Sequence, residues 1–243
     1  MWISVYTKFI VSSITIGIAL FVIYILLLLS PYIDGSYPNE RLLLYALTDQ
    51  QTNQTTSALN KKGLDLINSG NYSEAITYFD KALAMNSSNV NALNNKAFAL
   101  SSLGNYSEAI SYYDKALAIE PNYALALDNK AFTLHKFGRN NEAIIYYNKL
   151  LAINANNAQA LNDKGEVLME LGKNKEAIIY FDKALAIEPN YATALNNKGV
   201  ALANLANYYE AIKYIDKALA IEPDDALALD NKNKILDLLS KQK

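Results

Sequence analysis

The stretch LNNKAFAL at residues 93–100 recurs along the chain at a constant interval. Related octapeptides begin at five other positions: LNKKGLDL at 59, LDNKAFTL at 127, LNDKGEVL at 161, LNNKGVAL at 195 and LDNKNKIL at 229. Together with position 93 these starting positions are evenly spaced, and self-similarity at a fixed period of this size indicates a repeat protein, in which each unit is one supersecondary motif stacked on the next. The fold is therefore decided by one 34-residue unit and its repetition.

Each unit contains two amphipathic helix patterns separated by a turn residue. In the second unit the patterns predict a helix A over 91–103, a turn at Gly104 and a helix B over about 106–119. Helix B carries apolar residues at i, i+3, i+4 and i+7, and Pro121 follows it because proline cannot continue a helix. One such hairpin cannot bury its own apolar stripe, so neighbouring units must stack and the fold class is all-α.

The unit resembles the tetratricopeptide repeat, which has this length and this order of small and large positions. The resemblance covers five units, 56–89, 90–123, 124–157, 158–191 and 192–225, followed by a capping helix in 226–243. The family's small position of helix A holds Gly63, Ala97, Ala131, Gly165 and Gly199, and the large position of helix B holds Phe79, Tyr113, Tyr147, Phe181 and Ile215. The resemblance implies a right-handed α-solenoid over 58–243, with no room for a larger side chain at the small position of helix A.

The chain departs from the family pattern at one recurrent position and in one turn. Lysines stand where the family usually has leucine, at 62, 96, 130, 164 and 198, and Ala206 replaces a turn glycine. We expect Lys96 to lay its alkyl stem over the seam between helices and to keep its charge in water. The recurrent Asp-Lys pairs, such as Asp114-Lys115, are expected to form a solvated face.

The N-terminal segment 1–30 contains an uncharged run at 10–29 that is long enough to cross a bilayer as a helix. We expect a single-pass anchor, with the repeats more compatible with the extracytoplasmic side; a cleaved signal peptide and secretion of the repeats remain the alternative. The segment 31–57 is expected to be a polar linker with a short helix at 40–47. Asn-x-Ser/Thr sequons at 53, 71, 86 and 105 are about as frequent as chance predicts and decide nothing.

Composition excludes several classes of site. The chain has no cysteine and a single histidine, His135, which removes thiolate chemistry and most zinc sites. The net charge of -2 gives no basic stripe for nucleic acid. No nucleotide-binding, metalloprotease or hydrolase motif is present, so the sequence predicts no enzymatic activity, no cofactor, no bound metal and no small-molecule substrate.

What remains is a groove, because the resemblance implies that helix A of each unit lines the concave side of the superhelix. Helical phase predicts the following partner-binding side chains: Asn60, Asn94, Phe98, Asp128, Phe132, His135, Asn162, Glu166 and Asn196. A secondary ladder runs beside them: Asn95, Asn129, Asp163 and Asn197. Amide side chains offer donors and an acceptor to any peptide backbone, although in this family the second ladder also suits bonds to the next repeat.

These features predict a membrane-tethered scaffold that binds an extended peptide or partner helix of another protein in its groove. The alternatives are a structural subunit of a membrane assembly that packs through its convex face, and an accessory factor to an enzyme. His135 is interpreted either as a pH-sensitive contact to a partner or as a histidine without a special role.

Overall fold

The structure is a computed structural model and describes residues 38–241. The chain divides into two compact units, Met1–Ser57 and Ala58–Lys243, and the packing discussed below lies within the second. Eleven helices and no strand occur in residues 38–241. They are α1 Pro38–Asn68, α2 Tyr72–Met85, α3 Val90–Ser102, α4 Tyr106–Ile119, α5 Ala124–Lys136, α6 Asn140–Ile153, α7 Ala158–Glu170, α8 Asn174–Ile187, α9 Ala192–Asn204, α10 Tyr208–Ile221 and α11 Ala226–Ser240.

The first helix extends well beyond the short helix predicted at 40–47 within the polar segment 31–57, since the chain is helical from Pro38 to Asn68. Proline is favourable at the first helical position, and neither glycine nor proline occurs again before Gly63. Thr52 and Thr55 donate their hydroxyls to the carbonyl oxygens four residues earlier, at 2.9 Å each, so these polar residues are satisfied inside a helix. A polar composition predicts that the segment has no packed core of its own, but it does not prevent the segment from forming a helix.

The predicted anchor at 10–29 lies outside the residues that the structure describes. Within residues 38–241, no helix is both long enough and apolar enough to span a bilayer.

The repeat units form helical hairpins as the sequence predicts, and the bounds of α3 and α4 differ from the expected ones by one residue at most. Each hairpin turns through a residue with positive φ. At Gly104, where φ is 82°, the amide of Asn105 donates to the carbonyl of Leu100 at 2.9 Å and closes the end of α3. Ala206 takes this conformation at φ 62° and is the one non-glycine residue in the described chain to do so.

Small residues in helix A receive the large residues of helix B, which confirms the predicted close approach. An added Cβ at Gly165 would lie 2.5 Å from Cε1 of Phe181, and one at Gly199 would lie 2.5 Å from Cγ1 of Ile215. Phe181 and Ile215 are fully buried. The small residue of helix A and the large residue of helix B therefore set how closely the two helices of a hairpin pack.

Successive hairpins stack so that the A helices contact one another. Direct contacts join α3 to α5, α5 to α7, α7 to α9 and α9 to α11, whereas in this part of the chain no two successive B helices make comparable contact. The stack is therefore closed on the A side and open on the B side. We call the exposed side chains of α3, α5, α7 and α9 the inner surface.

Candidate interaction surface

Three of the predicted groove asparagines are buried within the stack, and this corrects their assignment as ligand contacts. Asn94, Asn162 and Asn196 are only 1%, 2% and 2% exposed. Each accepts a hydrogen bond on Oδ1 from the amide of an asparagine in the next unit, and these donors are Asn129, Asn197 and Asn231 at 3.2, 3.1 and 3.1 Å. The line is a buried seam between successive A helices.

Asn60 is also structural, because its Nδ2 donates to Oδ1 of Asn89 at 3.2 Å and its side chain is buried. Asn89 in turn caps α3 by accepting from the amide of Ala92 at 2.8 Å. Asp128, which belongs to the same predicted set of partner-binding side chains, is half-buried on α5.

The secondary ladder lies at the edge of this seam and is half-exposed. Asn129 and Asn197 each use one amide hydrogen for the seam, and no bond to Oδ1 of either residue occurs among the described residues. Asn95 accepts on Oδ1 from Nδ2 of Asn94 at 3.2 Å. The ladder therefore serves the stack with one group of each amide, and the other groups are available to a bound peptide.

Two predicted groove residues form an apolar strip on the inner surface. Phe98 is 37% exposed on α3, and Phe132 occupies the equivalent position on α5 with 48% exposure. The ring of Phe98 meets Tyr72 edge-on at 6.5 Å between centroids, and Nζ of Lys136 lies 5.2 Å from the centroid of Phe132. Both rings are exposed, and their role in binding a partner stays a prediction.

The amide seam is interrupted between α5 and α7, where both partners are acidic. Asp128 replaces the buried asparagine and Asp163 replaces the donor that would face it. Burial raises the pKa of Asp128. Burial, followed by the nearby charges of Asp128 and Glu166, raises the pKa of Asp163 to about 6, although a hydrogen bond from Asn162 acts in the opposite direction.

Further along the same junction, His135 on α5 meets two glutamates of α7. His135 is 9% exposed, and its Nε2 lies 3.4 Å from Oε1 of Glu170. Asn140 donates to the other oxygen of Glu170, Oε2, at 3.2 Å. We call Asp128, His135, Asp163, Glu166 and Glu170 the acidic junction.

The sequence reasoning missed the partners of Lys96 and of three equivalent lysines, and this corrects the prediction that the charge of Lys96 lies in water, whereas Lys62 is exposed. Lys96 is 7% exposed, and its Nζ donates to Oδ1 of Asp80 at 2.6 Å and to the hydroxyl of Tyr112 at 2.7 Å. Burial alone would lower the pKa of Lys96, but the bonds to Asp80 and Tyr112 and the charge of Asp80 outweigh burial and raise it.

We call this contact of a buried lysine with the two neighbouring B helices a lysine clasp. Equivalent clasps occur in three further units, at Lys130, Lys164 and Lys198. Each clasp joins the B helices of two successive units to the A helix between them. A detectable sequence signal existed, since an aspartate or asparagine precedes each lysine at a fixed distance along the chain and a tyrosine follows it at the same distance.

Comparison with known proteins agrees with the geometry. Family models described as tetratricopeptide repeat match residues 60–124, 100–165, 158–191 and 192–225, which together span 60–225. No curated protein matches the chain.

Similar solved structures include MamA, at 25% identity and a TM-score of 0.62 over 72% of this chain and 95% of that one. YrrB, described as a tetratricopeptide repeat protein with an unusual peptide-binding site, is 25% identical with a TM-score of 0.63 over 78% of this chain and 97% of its own. PilF of Pseudomonas aeruginosa shares the fold at 21% identity and a TM-score of 0.69, over 79% of this chain and 87% of that one.

Proposed function

We propose that this chain, which belongs to the tetratricopeptide repeat family, is a protein-interaction scaffold that binds an extended segment of a partner along its inner surface. The observation that carries the proposal is the pair Phe98 and Phe132, which are exposed at equivalent positions on adjacent helices. Large apolar side chains exposed together in a row, bordered by polar groups, are typical of protein-binding surfaces.

The chemistry of the surface specifies the kind of segment. The exposed rings favour aromatic or aliphatic side chains, and the half-exposed amides of Asn129 and Asn197 favour peptide groups. The acidic junction beside the rings favours lysine or arginine. Binding of a peptide is also what the description of the similar protein YrrB names for that protein.

Selection of peptides from a random displayed library on the full chain tests this proposal. We expect the selected peptides to combine apolar and basic residues and to bind more weakly at high salt, because their charges face carboxylates. The change of Phe98 and Phe132 together to Ser should weaken binding at least about tenfold, measured by fluorescence anisotropy, since both contacts are apolar.

The matched control changes two apolar residues of the B helices, on the opposite side of the stack, that are somewhat more exposed than the phenylalanines. Ile145 on α6 and Ile179 on α8 are 52% and 54% exposed, and their change to Ser should leave peptide affinity unchanged. Equal affinity of all three proteins for every selected peptide would refute binding on the inner surface.

The same two isoleucines support a second candidate function, that of a structural subunit packing through its B helices. Ile145 and Ile179 occupy equivalent positions in consecutive B helices and are apolar although exposed. If this function is the correct one, the Ile145→Ser and Ile179→Ser double variant leaves its native assembly on size-exclusion chromatography, and the phenylalanine double variant stays in it.

We also propose that residues 10–29 anchor the scaffold in a membrane, with the repeats outside the cytoplasm. Its support is the uncharged composition and the length of this segment. Alkaline extraction of membranes should leave the chain in the pellet, and protease added to sealed, right-side-out vesicles should digest the repeats. Release of the chain by alkaline extraction would refute the membrane anchor. Protection of the repeats from protease would show the opposite orientation.

A further inference from the structure

We infer that His135, Glu166 and Glu170 form a binding site for a divalent transition-metal ion of the zinc type. The inference goes beyond peptide binding and does not depend on it. One ligand atom from each of these residues can be chosen so that all three lie within 4.8 Å of one another. Glu166 and Glu170 are one helical turn apart on α7, and His135 reaches them from α5.

The spacing of the pair His135 and Glu170 matches the edge of a tetrahedral metal site. Two ligands that are each about 2.1 Å from a tetrahedral ion lie roughly 3.4 Å apart. Nε2 of His135 and Oε1 of Glu170 are separated by 3.4 Å. Glu166 is only half-buried, so its carboxylate has the freedom to complete a third corner, and a water molecule would supply the fourth.

The histidine is held as an incompletely satisfied buried group. The side chain of His135 is 7% exposed, and its Nδ1 is buried with no hydrogen-bond partner among the described residues. A buried imidazole nitrogen without a hydrogen-bond partner costs free energy, so His135 is not fully satisfied by the surrounding protein. The other ring nitrogen, Nε2, faces Glu170 and is the one that would bind the metal, so coordination leaves Nδ1 unchanged.

Glu170 is held in place by a second residue, as metal ligands commonly are. Nδ2 of Asn140, at the start of α6, donates to Oε2 of Glu170 at 3.2 Å, and this bond leaves Oε1 directed to His135. Bonds of this kind orient the carboxylate ligand, and their loss usually weakens metal affinity by about 10- to 100-fold. Asn140 is therefore a positioning residue.

The surrounding charge is negative and is not neutralised by basic residues. Apart from the contact with His135, no salt bridge joins the carboxylates of the acidic junction to a basic side chain within residues 38–241. The nearby Lys136 lies instead over the ring of Phe132. Apart from His135, a divalent cation would therefore compete with no basic side chain of the described residues that is ion-paired to these carboxylates.

The donor set favours particular metals. One imidazole nitrogen with two carboxylates suits zinc, cobalt and nickel, whereas magnesium and calcium prefer oxygen ligands alone. We expect Zn²⁺ to bind with a stoichiometry of one per chain and Mg²⁺ in large excess to leave it in place.

Isothermal titration of the metal-free full chain with ZnCl₂ tests the inference, with Co²⁺ as a spectroscopic probe of four-coordinate geometry. His135→Ala, Glu166→Gln and Glu170→Gln should each weaken Zn²⁺ binding at least about tenfold and remove the intense visible absorption of tetrahedral Co²⁺. Asn140→Ala should weaken binding by about 10- to 100-fold without changing the stoichiometry.

The matched control is Glu176→Gln, which neutralises a glutamate in the first turn of α8, outside the cluster, and should bind Zn²⁺ like the unmodified chain. Circular dichroism establishes that each variant is folded, and Glu166→Gln, whose side chain is half-exposed, keeps the test valid if His135→Ala unfolds. Failure of the unmodified chain to bind Zn²⁺ below millimolar concentration, or equal affinity in Glu166→Gln and Glu176→Gln, would overturn the inference. Peptide selection in the presence of a chelator stays a separate test of the proposed function.

Discussion

Adjacent asparagines in helix A have different roles that helical phase alone did not separate. Asn94 and Asn95 are both polar, yet Asn94 is buried against the next unit and Asn95 is half-exposed. Each A helix is covered by its own B helix and by the A helices before and after it, so less of its surface faces the groove than one hairpin suggests. Hydropathy cannot distinguish two asparagines about 100° apart on a helix.

Asp163 interrupts the amide seam, and its ionisation lowers the free energy of unfolding by an amount that depends on pH. Its folded pKa of about 6 lies above the usual value of 3.8, so the ionised form is disfavoured in the folded chain. The cost is absent below about pH 4, grows as the pH rises toward 6 and is complete above 6. Asp163→Asn should therefore stabilise the chain by about 1–2 kcal/mol at pH 7 and have little effect near pH 4, measured by urea unfolding at both pH values.

The reverse change provides the control for this prediction. Asn197 donates to the buried Asn162 at 3.1 Å, and Asn197→Asp removes that donor and adds a carboxylate beside an acceptor. We expect it to destabilise the chain by about 1–2 kcal/mol at pH 7. A gain from Asp163→Asn that is the same at pH 4 and pH 7 would contradict titration of Asp163 as its origin.

Ala206 carries the backbone conformation that glycine adopts in the other turns. Its φ of 62° costs an L-residue about 1 kcal/mol, which glycine avoids. Ala206→Gly should raise the melting temperature by a few degrees, corresponding to about 0.5–1 kcal/mol. Gly172→Ala, where φ is 75° and space is open around the added Cβ, should lower it by a similar amount, and a change in melting temperature of the same sign in both variants would exclude the backbone as the cause.

At the scale of the helix, local signals fixed the boundaries and long-range partners were not predictable. Turn glycines and helix-ending prolines placed α3 and α4 to within one residue, because both act within one helical turn. The lysine clasps were missed because a lysine in a small-residue seam is interpreted most simply as solvated. The long α1 was missed because a polar segment without glycine or proline is still free to be helical.

One lysine clasp has an asparagine where the others have an aspartate, so it allows the contribution of charge to the clasp to be tested. Lys164 bonds to Asn148 at 2.5 Å, whereas Lys198 bonds to Asp182 at 2.6 Å. Asn148→Asp adds a negative charge beside a buried ammonium and should stabilise the chain by about 0.5–1 kcal/mol in low salt, measured by urea unfolding.

The gain should shrink in 1 M NaCl, because the carboxylate side of such a clasp is exposed. Asp182→Asn is the matched control and should lower the free energy of unfolding by a similar amount in low salt. Destabilisation by Asn148→Asp would mean that the clasp holds its lysine through geometry and not through charge.

At the scale of the whole molecule, the repeat makes the inner surface a series of similar rows, and departures from repetition mark where recognition is specific. The exposed rings of Phe98 and Phe132 are followed by Glu166 and then Val200 at the same position. The sequence predicted the family from its 34-residue unit, and the binding surface stays a prediction that the family resemblance implies. It did not predict that acidity collects at one junction, because that depends on which residues of α5 and α7 meet.

The central claim is that the inner surface receives the partner, and photo-crosslinking in the native cell tests it most directly. A photoreactive phenylalanine analogue placed at Phe132 reports on the inner surface, and the same analogue at Ile179, of similar exposure, reports on the opposite side. The account predicts a discrete crosslinked partner from position 132 and none from position 179. Crosslinks from position 179 alone would contradict the account and identify the B helices as the binding surface.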